Sequence, residues 1–282
     1  MHRFVFVICL SLLIGGVSYC VSAKEAKHDH VPVHDWGVDI ALGYGAIENP
    51  LNKRESLETL VVPQWYYYGE RFYIENLELG YTLFENDHFL LDLVGYLNDD
   101  GVLYNVDNKS VSILDISNLI PNVGRPFNGN RVEFENIKRK FTYMAGGQVF
   151  WLTEYVDVKL LYGKDVTVGH EGEETLLSLQ KSYKIDKIRL FWEAGVQRKT
   201  AALNNYYYGL RASERGLRND TDVTGKSLIN YYVKIAATYR ISDRVSGVIS
   251  LRRTQMNDDL LMSPLLLEDN YLSGFAGINV HF

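Results

Sequence analysis

The densest set of metal-ligating side chains in this chain is Lys27-His28-Asp29-His30, followed by His34 and Asp35. Imidazole and carboxylate ligands at loose spacing could hold a divalent cation, but the run lies before the first regular pattern and reads as a solvated tail. His88 and His170 fall at a turn and in a loop, and His281 is the penultimate residue. No nucleophile-elbow motif occurs, and no histidine stands with a serine and an acid at a suggestive spacing. The expectation is therefore no metal, no cofactor and no catalytic residues. A hydrolase on a barrel scaffold is the rival class.

The remaining polar chemistry alternates with apolar residues. Glu78, Asp157, Lys159, Lys234 and Arg240 occupy every-other positions in apolar runs. If those runs are strands of a closed barrel, all five face the lumen, where mixed signs suit either a salt-bridged interior or a narrow channel. Tyr66-Tyr67-Tyr68 and Tyr206-Tyr207-Tyr208 could form a sugar-binding platform or an aromatic girdle.

These side chains need strands to position them. Period-two segments run near 36–46, 58–68, 71–83, 88–97, 140–151, 154–163, 174–184, 187–197, 204–212, 228–240, 244–254 and 271–282. Val233, Ile235, Ala237 and Tyr239 alternate with Lys234, Ala236, Thr238 and Arg240. Many segments approach the roughly 9–11 residues that a tilted membrane strand needs. The pattern predicts an all-β fold, a transmembrane antiparallel barrel of about twelve strands, with ten or fourteen as alternatives. Short turns at 85–87, 184–187 and 241–244 belong at the periplasmic end, and the polar stretches 98–139, 164–173, 213–227 and 255–270 belong outside. Counting back from the C-terminus puts 255–270 outside and 241–244 inside, as this requires. Carried on through twelve strands, it puts 184–187 outside and 98–139 inside, so one boundary is misplaced, most naturally between 197 and 227.

The two ends agree with a secreted barrel. His2 and Arg3 precede an apolar run, Phe4 to Gly16, and Val21-Ser22-Ala23 suits a signal peptidase. The expected layout is a cleaved signal at 1–23, a periplasmic tail at 24–35 and a barrel at 36–282. Arg3 is the only charged residue before Lys24, so cleavage moves the formal net charge from −6 to −7. That acidic balance excludes a nucleic-acid footprint. Both cysteines, Cys9 and Cys20, leave with the signal, so no disulfide is expected. Twenty tyrosines suit a membrane interface, and no run after the signal approaches the roughly 20 apolar residues of a spanning helix. At the other end, Gly277, Val280 and Phe282 resemble the signal read by the barrel-assembly machinery of Gram-negative outer membranes, so that machinery and outer-membrane lipid are expected partners.

Pro63-Gln64-Trp65-Tyr66-Tyr67-Tyr68-Gly69-Glu70-Arg71-Phe72-Tyr73, then Leu77-Glu78-Leu79-Gly80-Tyr81, resemble the MipA/OmpV family of outer-membrane proteins. So do Asn204-Asn205-Tyr206-Tyr207-Tyr208-Gly209-Leu210 with Glu214, and Met262-Ser263-Pro264. The resemblance implies a non-enzymatic barrel, with no family catalytic residues to carry over. It also implies a scaffold that joins a lytic transglycosylase to a murein synthase. Other members of the family suggest a porin-like role, or adhesion, here through 98–139.

Overall fold

The computed structural model describes residues 34–104, 137–167, 169–211, 213–214 and 223–282. The expected signal, the tail up to residue 33 and most of the stretch 98–139 lie outside the described residues.

Twelve antiparallel strands close on themselves. They are β1 (Asp35–Ile47), β2 (Leu57–Tyr68), β3 (Phe72–Glu75), β4 (Glu78–Glu85), β5 (Phe89–Leu97), β6 (Tyr143–Trp151), β7 (Asp157–Asp165), β8 (Glu173–Ile185), β9 (Ile188–Lys199), β10 (Leu228–Arg240), β11 (Val245–Gln255) and β12 (Asn270–His281). A helix, α1 (Ala201–Tyr208), and two 3-10 helices, Asp99–Tyr104 and Asp258–Met262, lie in the connections. Each strand pairs with its sequence neighbours, and β1 pairs with β12 from Asp39↔His281 to Ile47↔Ser273. The seam leaves no sheet edge between first and last strand, which a lipid-facing wall requires. Phe282 adds a bond beyond β12, its backbone N donating to Val38 O at 3.0 Å.

The alternation places its apolar members outward. On β10, Val233 and Ile235 are 54% and 51% exposed, while Asn230 and Tyr232 between the outward positions are buried. This is the lipid-out, polar-in dyad of an outer-membrane barrel. Apart from the two-residue β3–β4 turn, the connections sort by length, as that architecture demands. The turns at 69–71, 86–88, 152–156, 186–187 and 241–244 gather at the periplasmic end, and the long connections carrying α1 and both 3-10 helices gather at the outer end.

Two expected strands are corrected. The segment 71–83 is not one strand but the hairpin β3–β4. Asn76 takes a left-handed backbone (φ 54°), which asparagine tolerates better than most residues, and the chain reverses at Asn76-Leu77. The segment 204–212 is not a strand at all; Ala201–Tyr208 is α1. Helix propensity at Ala201 and Ala202 and packing of the tyrosine face override the local alternation. One strand gained and one lost leave the count at twelve and put 184–187 at the periplasmic end.

The short β3 has a further effect on the wall. β2 pairs with β3 only at Tyr66, Tyr67 and Tyr68. Further out, Trp65 is served by a single residue: Asn76 N donates to Trp65 O at 2.8 Å, and Asn76 Oδ1 accepts from Trp65 N at 3.0 Å. Pro63 has no N–H to leave unpaired, which is the usual licence for proline in an edge.

Candidate functional site in the barrel lumen

The outer end of the lumen is filled. Leu51 from the β1–β2 connection, Leu103 and Tyr104 from the first 3-10 helix, Ile137, and Leu203, Tyr207, Tyr208 and Leu210 from α1 and just beyond it form one buried cluster. Met256, Leu260, Leu265 and Leu266 from the β11–β12 connection complete it, against Met144 and Leu228 of the wall. Leu203, Tyr207, Tyr208 and Leu260 have no exposed surface. The cluster is a plug with its own hydrophobic core, and burial of that apolar surface holds it.

Polar bonds tie the plug to the wall. Lys199, at the outer end of β9, donates to both carboxylate oxygens of Asp100 at 2.7 Å, and Asp100 also accepts from Tyr208 at 3.0 Å. Glu174 on β8 accepts from Asn98 at 3.2 Å and from Gln197 at 3.0 Å. The fully buried Arg139 forms a bidentate pair with Glu214, at 2.7 and 2.8 Å, and donates to Gly209 O at 2.8 Å. In the β7–β8 connection the Asp165 carboxylate accepts the backbone N–H groups of Thr167, Gly169, His170 and Glu171.

Below the plug the lumen is divided by sign. The β1–β5 side carries Asp39, Glu75, Glu78 and Asp92, while the β7–β11 side carries Lys159, Lys184, Arg189, Lys234 and Arg240, with Asp157 and Glu193 as acidic exceptions. Asp92 is buried and accepts from Tyr73 at 3.2 Å and Gln148 at 3.0 Å. At the periplasmic mouth a cavity of about 280 Å³ lies between the β8–β9 and β10–β11 hairpins and the end of β12. Lys184, Lys187, Arg189, Arg240, Arg244 and His281 line it, with Asp186 and Asp243.

The profile of the family described as MltA-interacting protein MipA matches residues 40–282. The chain belongs to the MipA family. It is 21% identical to the outer membrane protein OmpV of Vibrio cholerae serotype O1, over the whole of both chains, and 20% identical to the outer membrane protein Omp26La of Vibrio anguillarum, again over the whole of both. Among solved structures it resembles the outer-membrane OmpT of Vibrio cholerae, covering 89% of this chain and 99% of that one at 8% identity and a TM-score of 0.29. This MipA-family protein is an outer-membrane barrel, and no catalytic family is indicated by what it matches.

The residues singled out in the sequence take these places. Glu78 opens β4 on the face shared with Gly80 and Thr82, opposite the exposed Leu79 and Tyr81. Lys159 lies over the Phe150 ring at 5.2 Å and Lys234 over Phe191 at 5.6 Å, each cation resting on an inward aromatic. Arg240 ends β10 and lines the periplasmic cavity. Asp157 is tied to the β6–β7 turn, accepting from Thr153 N at 3.1 Å with Lys181 at 3.6 Å. On β2, Tyr67 is exposed outward, whereas Tyr66 and Tyr68 point inward with ring centroids 5.3 Å apart. Tyr66 also stacks on His281 at 6.3 Å. Tyr206, Tyr207 and Tyr208 are a correction: they lie on α1, with Tyr207 and Tyr208 inside the plug, so this triplet is not part of the barrel wall. Gly277 and Val280 lie on the seam strand β12, and Phe282 ends the chain just past it. Sequence reading passed over Asp100, Arg139, Glu174 and Lys199, and took Glu214 only as part of the family resemblance. Their only local sign was ionisable side chains beside apolar ones in stretches otherwise typical of loops.

The plug carries two acid-sensitive groups. Burial lowers the His170 pKa from its usual 6.5, with Asp165 opposing. Its Nδ1 accepts from Gly172 N at 2.8 Å, which leaves Nε2–H to bond Thr142 at 3.1 Å in the neutral form. Burial alone would raise the Glu214 carboxyl, but the bonds from Arg139 outweigh it and hold the pKa below the ordinary 4.5. Both groups therefore add stability at neutral pH that falls away on acidification, below about pH 6.5 for His170 and below about 4.5 for Glu214. The near-ultraviolet dichroism of the plug tyrosines should weaken in those two steps while the far-ultraviolet strand signal persists. His170→Gln should remove the first step and Glu214→Gln the second; a single step coinciding with loss of strand signal would contradict this.

Proposed function

We propose that this protein is a non-enzymatic, non-conducting outer-membrane scaffold. Its periplasmic face holds murein-remodelling enzymes, a lytic transglycosylase and a murein synthase. The observation that carries the reading is the plug: a barrel whose outer end is packed with its own hydrophobic core is built to stay shut. The family's description as MltA-interacting supports the choice of partner. The refolded protein, shown closed by a heat-modifiability gel, should be silent in planar-bilayer recordings, and cross-linking in cells should retain a periplasmic murein enzyme. Discrete conductance steps would instead favour a small-solute channel. The division of the lumen into an acidic and a basic side is the feature that favours that second reading, since such a field orients zwitterions.

A further inference from the structure

We propose that the cavity at the periplasmic mouth is a docking site for a carboxylate-rich peptide segment of a periplasmic protein. The proposal rests on the scaffold reading for the kind of partner, and on the cavity itself for the chemistry. The chain as a whole is acidic, with a formal net charge of −6, yet Lys187, Arg240 and Arg244 line this cavity together with Lys184 and Arg189, which have interactions of their own, against two acidic side chains, Asp186 and Asp243. Among the described residues, Lys187, Arg240 and Arg244 have no carboxylate within 4 Å. The nearby Asp39 is already engaged, facing His281 at 2.6 Å and accepting from Asn279 at 3.2 Å. Like charges such as Lys187, Arg240 and Arg244, gathered in one concave site, repel each other and raise the local concentration of anions. Arginine in particular presents a planar fork suited to carboxylate.

Spacing argues for an extended peptide over a single small anion. Lys187 lies in the β8–β9 turn, Arg240 ends β10 and Arg244 lies in the β10–β11 turn. Arg240 N donates to Lys187 O at 2.9 Å, so the two hairpins are adjacent. Lys187 thus stands about one strand spacing, roughly 4.8 Å, from Arg240, and Arg244 lies two residues beyond Ser246, the partner of Arg240 on β11, so the three cations are spread over more than one strand spacing. A cavity of about 280 Å³ is also far larger than one water's share of roughly 30 Å³. It takes several carboxylate side chains, and the open periplasmic mouth admits them end-on.

The test uses the refolded mature protein in detergent and a rhodamine-labelled hexaglutamate peptide, read by fluorescence anisotropy, with hexaglutamine as the neutral probe. Hexaglutamate should bind, hexaglutamine should not, and affinity should fall as salt rises. The double variant Arg240→Gln/Arg244→Gln should bind at least about tenfold more weakly, and Lys187→Gln should weaken binding less. Lys226→Gln, which removes an exposed cation paired with Asp259 at the outer end, should bind as the parent does. A heat-modifiability gel confirms that each variant is folded; if the double variant fails to fold, Lys187→Gln and the salt dependence carry the comparison. Equal binding of both peptides, or hexaglutamate affinity unchanged in folded variants, would overturn the proposal. So would displacement of the peptide by inorganic phosphate at equal concentration, or binding only to phosphatidylglycerol vesicles. Because no murein enzyme is present, peptide binding with failed enzyme capture would indict the scaffold reading alone. Enzyme capture without peptide binding would move the docking surface elsewhere.

Discussion

Lys199→Met is expected to destabilise the protein by about 3–5 kcal/mol, the usual range when one partner of a buried ion pair is removed. Lys199 is buried and is the cation that neutralises Asp100, at 2.7 Å from both oxygens. Without it, Asp100 keeps one neutral donor, Tyr208, and Glu174 loses its nearest cationic field. Two buried carboxylates, Asp100 and Glu174, would then stand between plug and wall without the charge of Lys199. The loss should appear as a lower urea midpoint by tryptophan fluorescence, with the plug loosening first. Trypsin should cut at Arg211 and Lys226 at urea concentrations where the heat-modifiable barrel band still persists. The double variant Asp100→Asn/Lys199→Met removes both charges and should recover much of the loss. A single variant within about 0.5 kcal/mol of the parent would mean that the pair does not anchor the plug.

Gly277→Ala and Gly43→Ala are each expected to lower the yield of closed barrel sharply. The two glycines face each other across the β1–β12 seam. A methyl group on Gly277 would stand 2.3 Å from Leu42 O, and one on Gly43 would stand 2.2 Å from Ala276 O. Both obstacles are backbone, so the strands themselves must part at the closing contact. Overpacking of this kind costs about 1–3 kcal/mol, and occasionally more. Gly247→Ala is the control, because nothing lies within 4 Å of the added methyl group. The pair also separates two explanations for Gly277. If the residue matters only as part of a C-terminal assembly signal, Gly43→Ala should assemble normally. If close approach at the seam is the reason, the two variants should fail alike in refolding from urea, where no assembly machinery is present.

The wall was legible in the sequence because lipid acts on every second residue independently of the rest of the fold. Val233, Ile235 and Tyr239 declare β10 without reference to any neighbour. Two kinds of feature were not legible. A two-residue turn such as Asn76-Leu77 hardly disturbs alternation, so β3 and β4 read as one strand. The run containing Tyr206, Tyr207 and Tyr208 resembles an interface strand until the plug core supplies partners for a helical face. The plug network was beyond sequence reading for a simpler reason. Asp100 and Lys199 lie 99 positions apart, and Tyr208 and Asp100 lie 108 apart. The basic periplasmic cavity was half legible: Arg240 stood out by alternation, while Lys187 and Arg244 looked like ordinary turn residues until the register brought their hairpins side by side.

The hydrophobic core of the plug draws on four connections scattered along the chain, from Leu51 to Leu266, and an isolated bridge pairs those two residues. Its last contributors, Leu260, Leu265 and Leu266, arrive only with the segment that delivers β12. The order of assembly is therefore built into the connectivity. Until the final strand is placed, the cork lacks these residues and the β1–β12 seam is open. Sealing of the outer face and zipping of the seam are then a single late event with long-range contacts, the kind that is slow to form.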